Sequence, residues 1–220
     1  LRGFQGNRVA VLTDGIGNID ASNTSTDHAV TIETLTTERI EVLRGPAVLL
    51  FGGQAVGGAV NAIDKRIPRG IPKDNLHLDF IGGYGSAANE RSAGGSIDAA
   101  LGGGLVGHID ASYRKSGDLR TGGRILSAEL RADTLIAAGL EQAAGNLEAA
   151  DALRDLADLT GKIPNSGVET WTAGLGATYF GGSSSLGISG SMYDTFYGVP
   201  GRPGGEESVS IDLRQYRFDV

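Results

Sequence analysis

From residue 76 to the end the chain repeats one arrangement: short segments in which apolar and polar positions alternate, separated by glycine-rich turns. A period of two is the period of a β-strand, because successive side chains on a strand point to opposite faces. In 76–84, Leu76, Leu78, Phe80, Gly82 and Tyr84 share one face and His77, Asp79 and Gly83 the other. In 93–101, Ala93, Ile97, Ala99 and Leu101 oppose Ser96 and Asp98. In 105–113, Leu105, Ile109, Ala111 and Tyr113 oppose His108, Asp110, Ser112 and Arg114. Trp171, Ala173, Leu175, Ala177 and Tyr179 oppose Thr172, Gly174 and Thr178; Leu186, Ile188 and Met192 oppose Ser189 and Ser191. A sixth segment sets Val209, Ile211 and Leu213 against Ser210 and Asp212, and its parity then slips to Tyr216, Phe218 and Val220, which predicts a bulge.

Six such strands, apolar with aromatics at the strand ends on one face and polar on the other, have the pattern of a transmembrane barrel with a polar lumen. A soluble antiparallel sheet with one wet face produces the same alternation. Connector lengths favour the barrel: 85–92, 102–104 and 180–185 are short, whereas 114–168 is long, as expected for turns at one end and loops at the other. No run of 18 apolar residues exists, so no transmembrane helix is expected.

The long connection has its own pattern. Residues 124–160 are rich in Ala, Leu, Glu and Asp, and Leu126, Leu130, Ala137 and Leu140, then Leu147, Ala150, Leu153 and Ala157, recur at helical steps. Two amphipathic helices broken near Gly145-Asn146 are predicted, packed on their leucine face or lying as a lid over a pore. The stretch 118–167 is acidic, with eight Asp/Glu against five Lys/Arg.

Residues 1–70 read differently. Arg8–Gly15 is a short strand ending in an Asp-Gly turn, Glu38–Leu43 a half-buried strand, and Gly57–Ile63 a further strand. Between the last two, Pro46 suits the first position of a helix, which gives about one turn before Gly52-Gly53. Two prolines in 67–72 make that stretch a linker. The chain is therefore divided into 1–70 and 73–220, with a long loop over 117–168. It starts at Leu1 and stops at Val220 inside a strand pattern, and so reads as part of a longer protein.

Composition excludes several functions. With no cysteine there is no disulfide scaffold, thiol nucleophile or Cys-based zinc or iron–sulfur site. Three histidines do not make a His-rich catalytic metal centre, and a net charge of −7 argues against nucleic acid as a partner. The glycine-rich stretch 52–58 lacks the Lys-Ser/Thr ending of a phosphate loop, and Ser183-Ser184-Ser185 has no nearby histidine. Enzymatic activity is not expected.

The string Glu38-Arg39-Ile40-Glu41-Val42-Leu43-Arg44-Gly45-Pro46-Ala47-Val48-Leu49-Leu50-Phe51-Gly52, followed by Gly57-Gly58-Ala59-Val60-Asn61-Ala62-Ile63, resembles the end of the plug domain of TonB-dependent outer-membrane receptors. Leu1-Arg2-Gly3-Phe4 and Val9–Gly15 resemble the same plug further upstream. The resemblance implies an incomplete fold: the C-terminal part of a mixed α+β plug, then the first antiparallel strands of a transmembrane β-barrel, with a helical insertion in one long loop. Asp27-His28-Ala29-Val30, Tyr113–Asp118 and Tyr197–Gly201 look closer to the zinc-type branch, in which the plug Asp-His pair supplies metal ligands. That carries a metal-ligand role to Asp27 and His28. The stretch 202–207, where that branch carries a histidine-rich loop, has no histidine here and offers Glu206 and Glu207 as oxygen ligands.

The resemblance further implies a Gram-negative outer-membrane location and contact with its lipid. It implies energy coupling to the TonB complex through a box upstream of Leu1, and a scarce cargo such as zinc or a ferric siderophore, with no resident cofactor. A barrel of about 22 strands is too wide for side chains to fill, so a plug must fill it and yet be movable. Charge pairs in a wet interface suit that role. Arg39 and Arg44, oriented by Glu38 and Glu41, are the expected plug–barrel ionic contacts, because guanidinium suits bidentate pairing with wall carboxylates. His77 and His108, on polar strand faces, are read as hydrogen-bonded wall residues within reach of plug or cargo. The rival readings are a passive porin-like or adhesin-like barrel without energy coupling and a soluble β-sheet binding module.

Overall fold

The computed structural model describes residues 8–18, 28, 30–45, 51, 55–201 and 208–220. The first unit is a four-stranded sheet in the order β2-β1-β4-β3, with β1 Val9–Thr13, β2 Ile16–Gly17, β3 Thr37–Leu43 and β4 Gly58–Asp64. Strand β4 is central. It runs parallel to β1 and antiparallel to β3. Its composition explains the position: small or aliphatic residues on both faces let Ala59, Ala62 and Ile63 be buried, and Leu12, Ala55 and Ala59 form the core of the unit. Asp14 and Gly15 turn β1 into β2 with positive φ at both positions, the geometry that an Asp-Gly hairpin supplies. The Asn61 side chain accepts a hydrogen bond from the Gly15 amide at 2.9 Å and ties that turn to β4. The one-turn helix expected after Pro46 lies outside the described residues.

The second unit is a six-stranded antiparallel sheet in the order β12-β11-β10-β7-β6-β5. Its strands are β5 Leu76–Gly85, β6 Glu90–Gly102, β7 Leu105–Ser116, β10 Val168–Gly181, β11 Ser184–Val199 and β12 Val209–Asp219. Every consecutive pair in chain order is also a neighbour in space, including β7 and β10 across the long connection. Turns 103–104 and 182–183 lie at one end of the sheet, and 86–89 and 117–167 at the other, where β11 also ends and β12 begins.

The alternation sorts the faces as the sequence indicates. One face carries Phe80, Ile109, Leu175 and Phe218 across the middle, all exposed, with Tyr179, Leu105 and Leu186 at one margin and Tyr84, Tyr113, Trp171 and Phe196 at the other. An apolar band with aromatic residues toward its margins is the pattern carried by the outer surface of a membrane barrel. The opposite face buries Ser96, His108, Asp110, Ser112, Thr172 and Thr195 against the first unit.

Strand β12 corrects one expectation. No bulge follows Leu213: the pairing with β11 runs unbroken from Val199↔Val209 to Ser189↔Asp219. Tyr216 and Phe218 face outward and Gln215 and Arg217 inward, so Val209, Ile211 and Leu213, of the same parity, also face inward. The change of chemistry along β12 follows height on the wall, not a change of register.

The long connection is a stalk carrying two helices. Strands β8 Arg120–Arg124 and β9 Thr160–Lys162 pair, and between them lie α1 Ala128–Ala143 and α2 Leu147–Asp158. Ser127 caps α1 by accepting from the Leu130 amide at 3.2 Å, and Gly145 breaks the helices with positive φ. The predicted faces are met in part: in α2 Ala150 and Ala157 are buried and Leu153 is half-buried, whereas Leu130, Leu140 and Leu147 are exposed and Thr134 and Ala138 take the buried places in α1. A three-residue turn holds the helices side by side, and small residues permit that close approach, which pushes the leucines to the flanks. Arg131 joins the helices through the Ala157 carbonyl at 3.2 Å and the Asp158 carboxylate at 2.7 Å.

Candidate functional site at the plug–wall interface

The chain leaves β4 and meets the wall immediately. Arg66 lies two residues beyond Asp64 and spans three carboxylate oxygens: Nε and Nη2 donate to Asp110 Oδ2 and Oδ1 at 2.9 Å each, and Nη1 donates to Asp64 Oδ2 at 2.9 Å. The two parallel bonds to Asp110 are the bidentate geometry that guanidinium offers and ammonium does not. Asp110 is 3% exposed, on the inward face of β7. Burial works against the Arg66 charge, but Asp110 and Asp64 outweigh it and hold the guanidinium above its usual range.

His108, two residues away on the same face, extends the network. Its Nδ1 lies 2.6 Å from Asp98 Oδ1 on β6, and its Nε2 lies 3.3 Å from Asp110 Oδ2. A ring with a carboxylate at each nitrogen is satisfied when both nitrogens donate, which is the imidazolium form. Asp64, Asp98 and Asp110 thus face Arg66 and His108 in one buried, mutually paired cluster. Buried charges cost several kcal/mol of desolvation each unless so paired.

Wall shape admits this contact. Gly174 and Gly176 lie on the inward face of β10, next to Asp110 and His108 respectively. A Cβ on Gly176 would overlap the Arg66 carbonyl oxygen, and one on Gly174 would overlap Arg66 Nε and Asp110 Oδ2. Glycine is required there by close approach of another chain segment.

Further ion pairs among the described residues cross the interface. Glu33 accepts from Arg114 Nη2 at 3.0 Å and from the Leu35 amide at 2.8 Å. Asp14 meets Arg217 at 3.6 Å, while Arg217 also binds Asp219. Lys65 pairs with Asp79, which His77 also contacts at 3.2 Å. Burial above all, with the Asp64 charge next and Arg217 opposing, pushes the Asp14 carboxyl up to about 6. A cavity of about 80 Å³ lies between the units, lined by Thr31, Glu33, Asp64, Arg66, Thr172 and Tyr193 among others, so the interface is polar.

The residues expected from sequence occupy other places. Arg39 pairs with Glu41 of its own strand at 2.9 Å, and Glu38 lies 3.9 Å from Arg69 in the linker. Arg44 is exposed just beyond β3. All four belong to the edge of the first sheet, and the described partners of Arg39, Glu38 and Glu41 lie within residues 1–70. Asp27, Glu206 and Glu207 lie outside the described residues. His28 Nδ1 is 3.5 Å from the buried Tyr197 hydroxyl of β11, with the rings edge to face. Among the described residues, no group of three or more His, Asp or Glu side chains is arranged to hold a metal ion.

Sequence reasoning missed Arg66, Asp14 and Arg217 as contacts, though it put Asp98, His108, Asp110 and Arg114 on the polar face. Charged residues at inward positions halfway along a strand, beside inward glycines, were the available signal.

Comparison with known proteins agrees with this arrangement. Residues 1–59 match the family model of the TonB-dependent Receptor Plug Domain. A stretch of 99 residues is 32% identical to the rhizobactin receptor of Rhizobium meliloti (strain 1021), covering 43% of this chain and 13% of that protein. A stretch of 64 residues is 39% identical to the vitamin B12 transporter BtuB of Vibrio vulnificus (strain CMCP6), covering 29% of this chain and 10% of that protein. The solved siderophore receptor PirA from Acinetobacter baumannii has the same fold over 99% of this chain and 38% of its own, with a TM-score of 0.56 at 18% identity. The chain thus spans well under half the length of that receptor, and its matched stretches are small fractions of the two other relatives. A sheet seated by ion pairs on the polar face of an antiparallel wall, with residues 1–59 matching the plug model, makes the chain similar to TonB-dependent receptors, in sequence over its first 59 residues and in fold over nearly its whole length.

Proposed function

We propose that the protein takes up a scarce, bulky metal complex across the outer membrane of a Gram-negative cell, with a ferric siderophore as the favoured class. The plug closes the lumen at rest, and the TonB complex moves it through a segment upstream of Leu1. The observation that carries this reading is the plug–wall interface. Apart from the shielded Arg66–Asp110 pair, its ionic contacts are partly exposed, so they can be exchanged for water one at a time, which a dry apolar interface would resist.

Two similarities support the cargo class: the relatives named above are a rhizobactin receptor and a vitamin B12 transporter. Bare Zn²⁺ is less favoured, since it needs about four ligands and His28 already faces Tyr197. Asp27 and His28 are proposed as cargo contacts. Arg39, Arg44, Glu38 and Glu41 are proposed as contacts with wall strands outside this chain. A passive pore would have no use for a plug held this way.

Growth of a strain lacking the gene, under iron limitation with ferric catecholate, hydroxamate or citrate-type siderophores, tests the reading. The intact gene is expected to restore growth on one class only when TonB is present. Restoration without TonB, or no difference on any class, would overturn it.

A further inference from the structure

We propose that Arg66 is the mechanical stop of the plug: the wall grips the chain at this residue, so force entering upstream extends the chain as far as β4 and leaves Arg66 seated. The inference rests on the reading of a plug moved by force, but not on the cargo or on TonB.

The contacts across the interface are graded along the chain. The upstream ones are long and partly exposed: Asp14 to Arg217 at 3.6 Å and His28 to Tyr197 at 3.5 Å. Glu33 and Thr34 share one Arg114 nitrogen, at 3.0 and 3.3 Å, which is a stronger contact but is made to a partly exposed guanidinium. Arg66 comes last before the linker and is held by two parallel bonds to a carboxylate whose side chain is 1% exposed. Bonds shielded from water cannot be replaced stepwise by water, as exposed ones can.

Shape adds a second grip. The Arg66 backbone lies so close to β10 that a side chain at Gly176 would collide with its carbonyl, and one at Gly174 would collide with the Arg66 side chain and Asp110. The neighbouring carboxylates are themselves fixed, Asp110 by His108 and Asp64 by the Arg66 amide at 3.0 Å. Strand β4, which ends at Asp64, is bonded on both sides by β1 and β3. Pulling from the N-terminal side therefore removes β1 and β3 before the load reaches β4 and Arg66.

Single-molecule force spectroscopy on the full receptor in a lipid bilayer, pulled from the N-terminal end of the plug, reads this directly. The last extension should come from release of Arg66, freeing residues 66–75 and lengthening the tether by at most about 3.5 nm. Arg66→Ala should abolish that terminal step. Gly176→Ala, which keeps every charge and displaces the Arg66 backbone, should abolish or weaken it. Arg66→Lys should keep the step length and lower its rupture force, since ammonium cannot pair bidentately. A wild-type trace without the terminal step would overturn the proposal, as would an unchanged step in Arg66→Ala or an unchanged force in Arg66→Lys. The experiment contains neither cargo nor TonB, so failure of the uptake reading in the growth assay leaves its result standing.

Discussion

Asp14 in the plug and Arg217 in the wall meet at 3.6 Å, the guanidinium bridging from its own partner Asp219 on β12 toward the turn that joins β1 to β2. The pairing is incomplete, because Asp64 also stands beside Asp14 and its amide donates to the Asp14 carboxylate at 3.3 Å. Burial and the Asp64 charge outweigh the attraction of Arg217 and push Asp14 up to about 6.

A raised carboxyl binds its proton more tightly in the folded than in the unfolded state, so its contribution is present below about pH 4 and is lost as pH rises through about 6. The β1–β2 corner should therefore lose protection between pH 4 and 7. Amide hydrogen exchange at Val11 to Gly17 checks this. Asp14→Asn should flatten the dependence, and Arg217→Gln should shift its midpoint upward. An identical profile in Asp14→Asn would refute the assignment.

The Asp110 cluster should behave as a unit. Asp110→Asn leaves Arg66 and His108 buried beside a group that no longer carries charge, a change worth about 3–5 kcal/mol of stability. Arg66→Met in the same background should cost much less than the two single changes together, with a coupling of about 1–3 kcal/mol. Urea unfolding of the four proteins closes the cycle, and additive effects would show that the bidentate pair is not a unit.

Much of the wall was legible in sequence because a period of two leaves a signature in each strand, as in Trp171 to Tyr179. The division of faces follows from that parity alone. The functional contacts were less legible. Arg39 and Arg44 stood out by position in a familiar string, yet Arg39 pairs along its own strand with Glu41. Arg66 is an ordinary arginine just before the linker until β7 and β10 bring Asp110 and Gly176 to it from far along the chain. Long-range pairing of that kind leaves no local pattern. The α1–α2 contact misled for another reason: hydrophobicity ranks leucine above alanine, whereas close helix approach selects for small size.

The apolar outer band makes a sharp distinction between water and lipid. Leu175 sits at its mid-height and is 67% exposed. In a soluble sheet Leu175→Arg would change stability by less than about 0.5 kcal/mol. In a bilayer it should cost about 2–4 kcal/mol. Asp212→Arg, near the outer margin of β12, should cost about 0–1 kcal/mol. Refolding into vesicles with urea titration measures both, and equal small effects would remove the membrane reading.

The helical hairpin of the long loop is held by small residues, so it should be sensitive to added bulk. Ala150 is fully buried in α2, with Ala138 buried in α1. Ala150→Leu forces extra methylenes between the helices at about 1–3 kcal/mol. Because the hairpin stands on the β8–β9 stalk, apart from the pairing of β7 with β10, the cost should fall on the loop alone. Limited proteolysis should show faster cleavage within 128–158, with the cleavage rate elsewhere and the global unfolding midpoint unchanged. A shift of the global midpoint would mean that the hairpin is part of the wall's cooperative unit, since a side chain placed between two independent helices has no other route to the sheet.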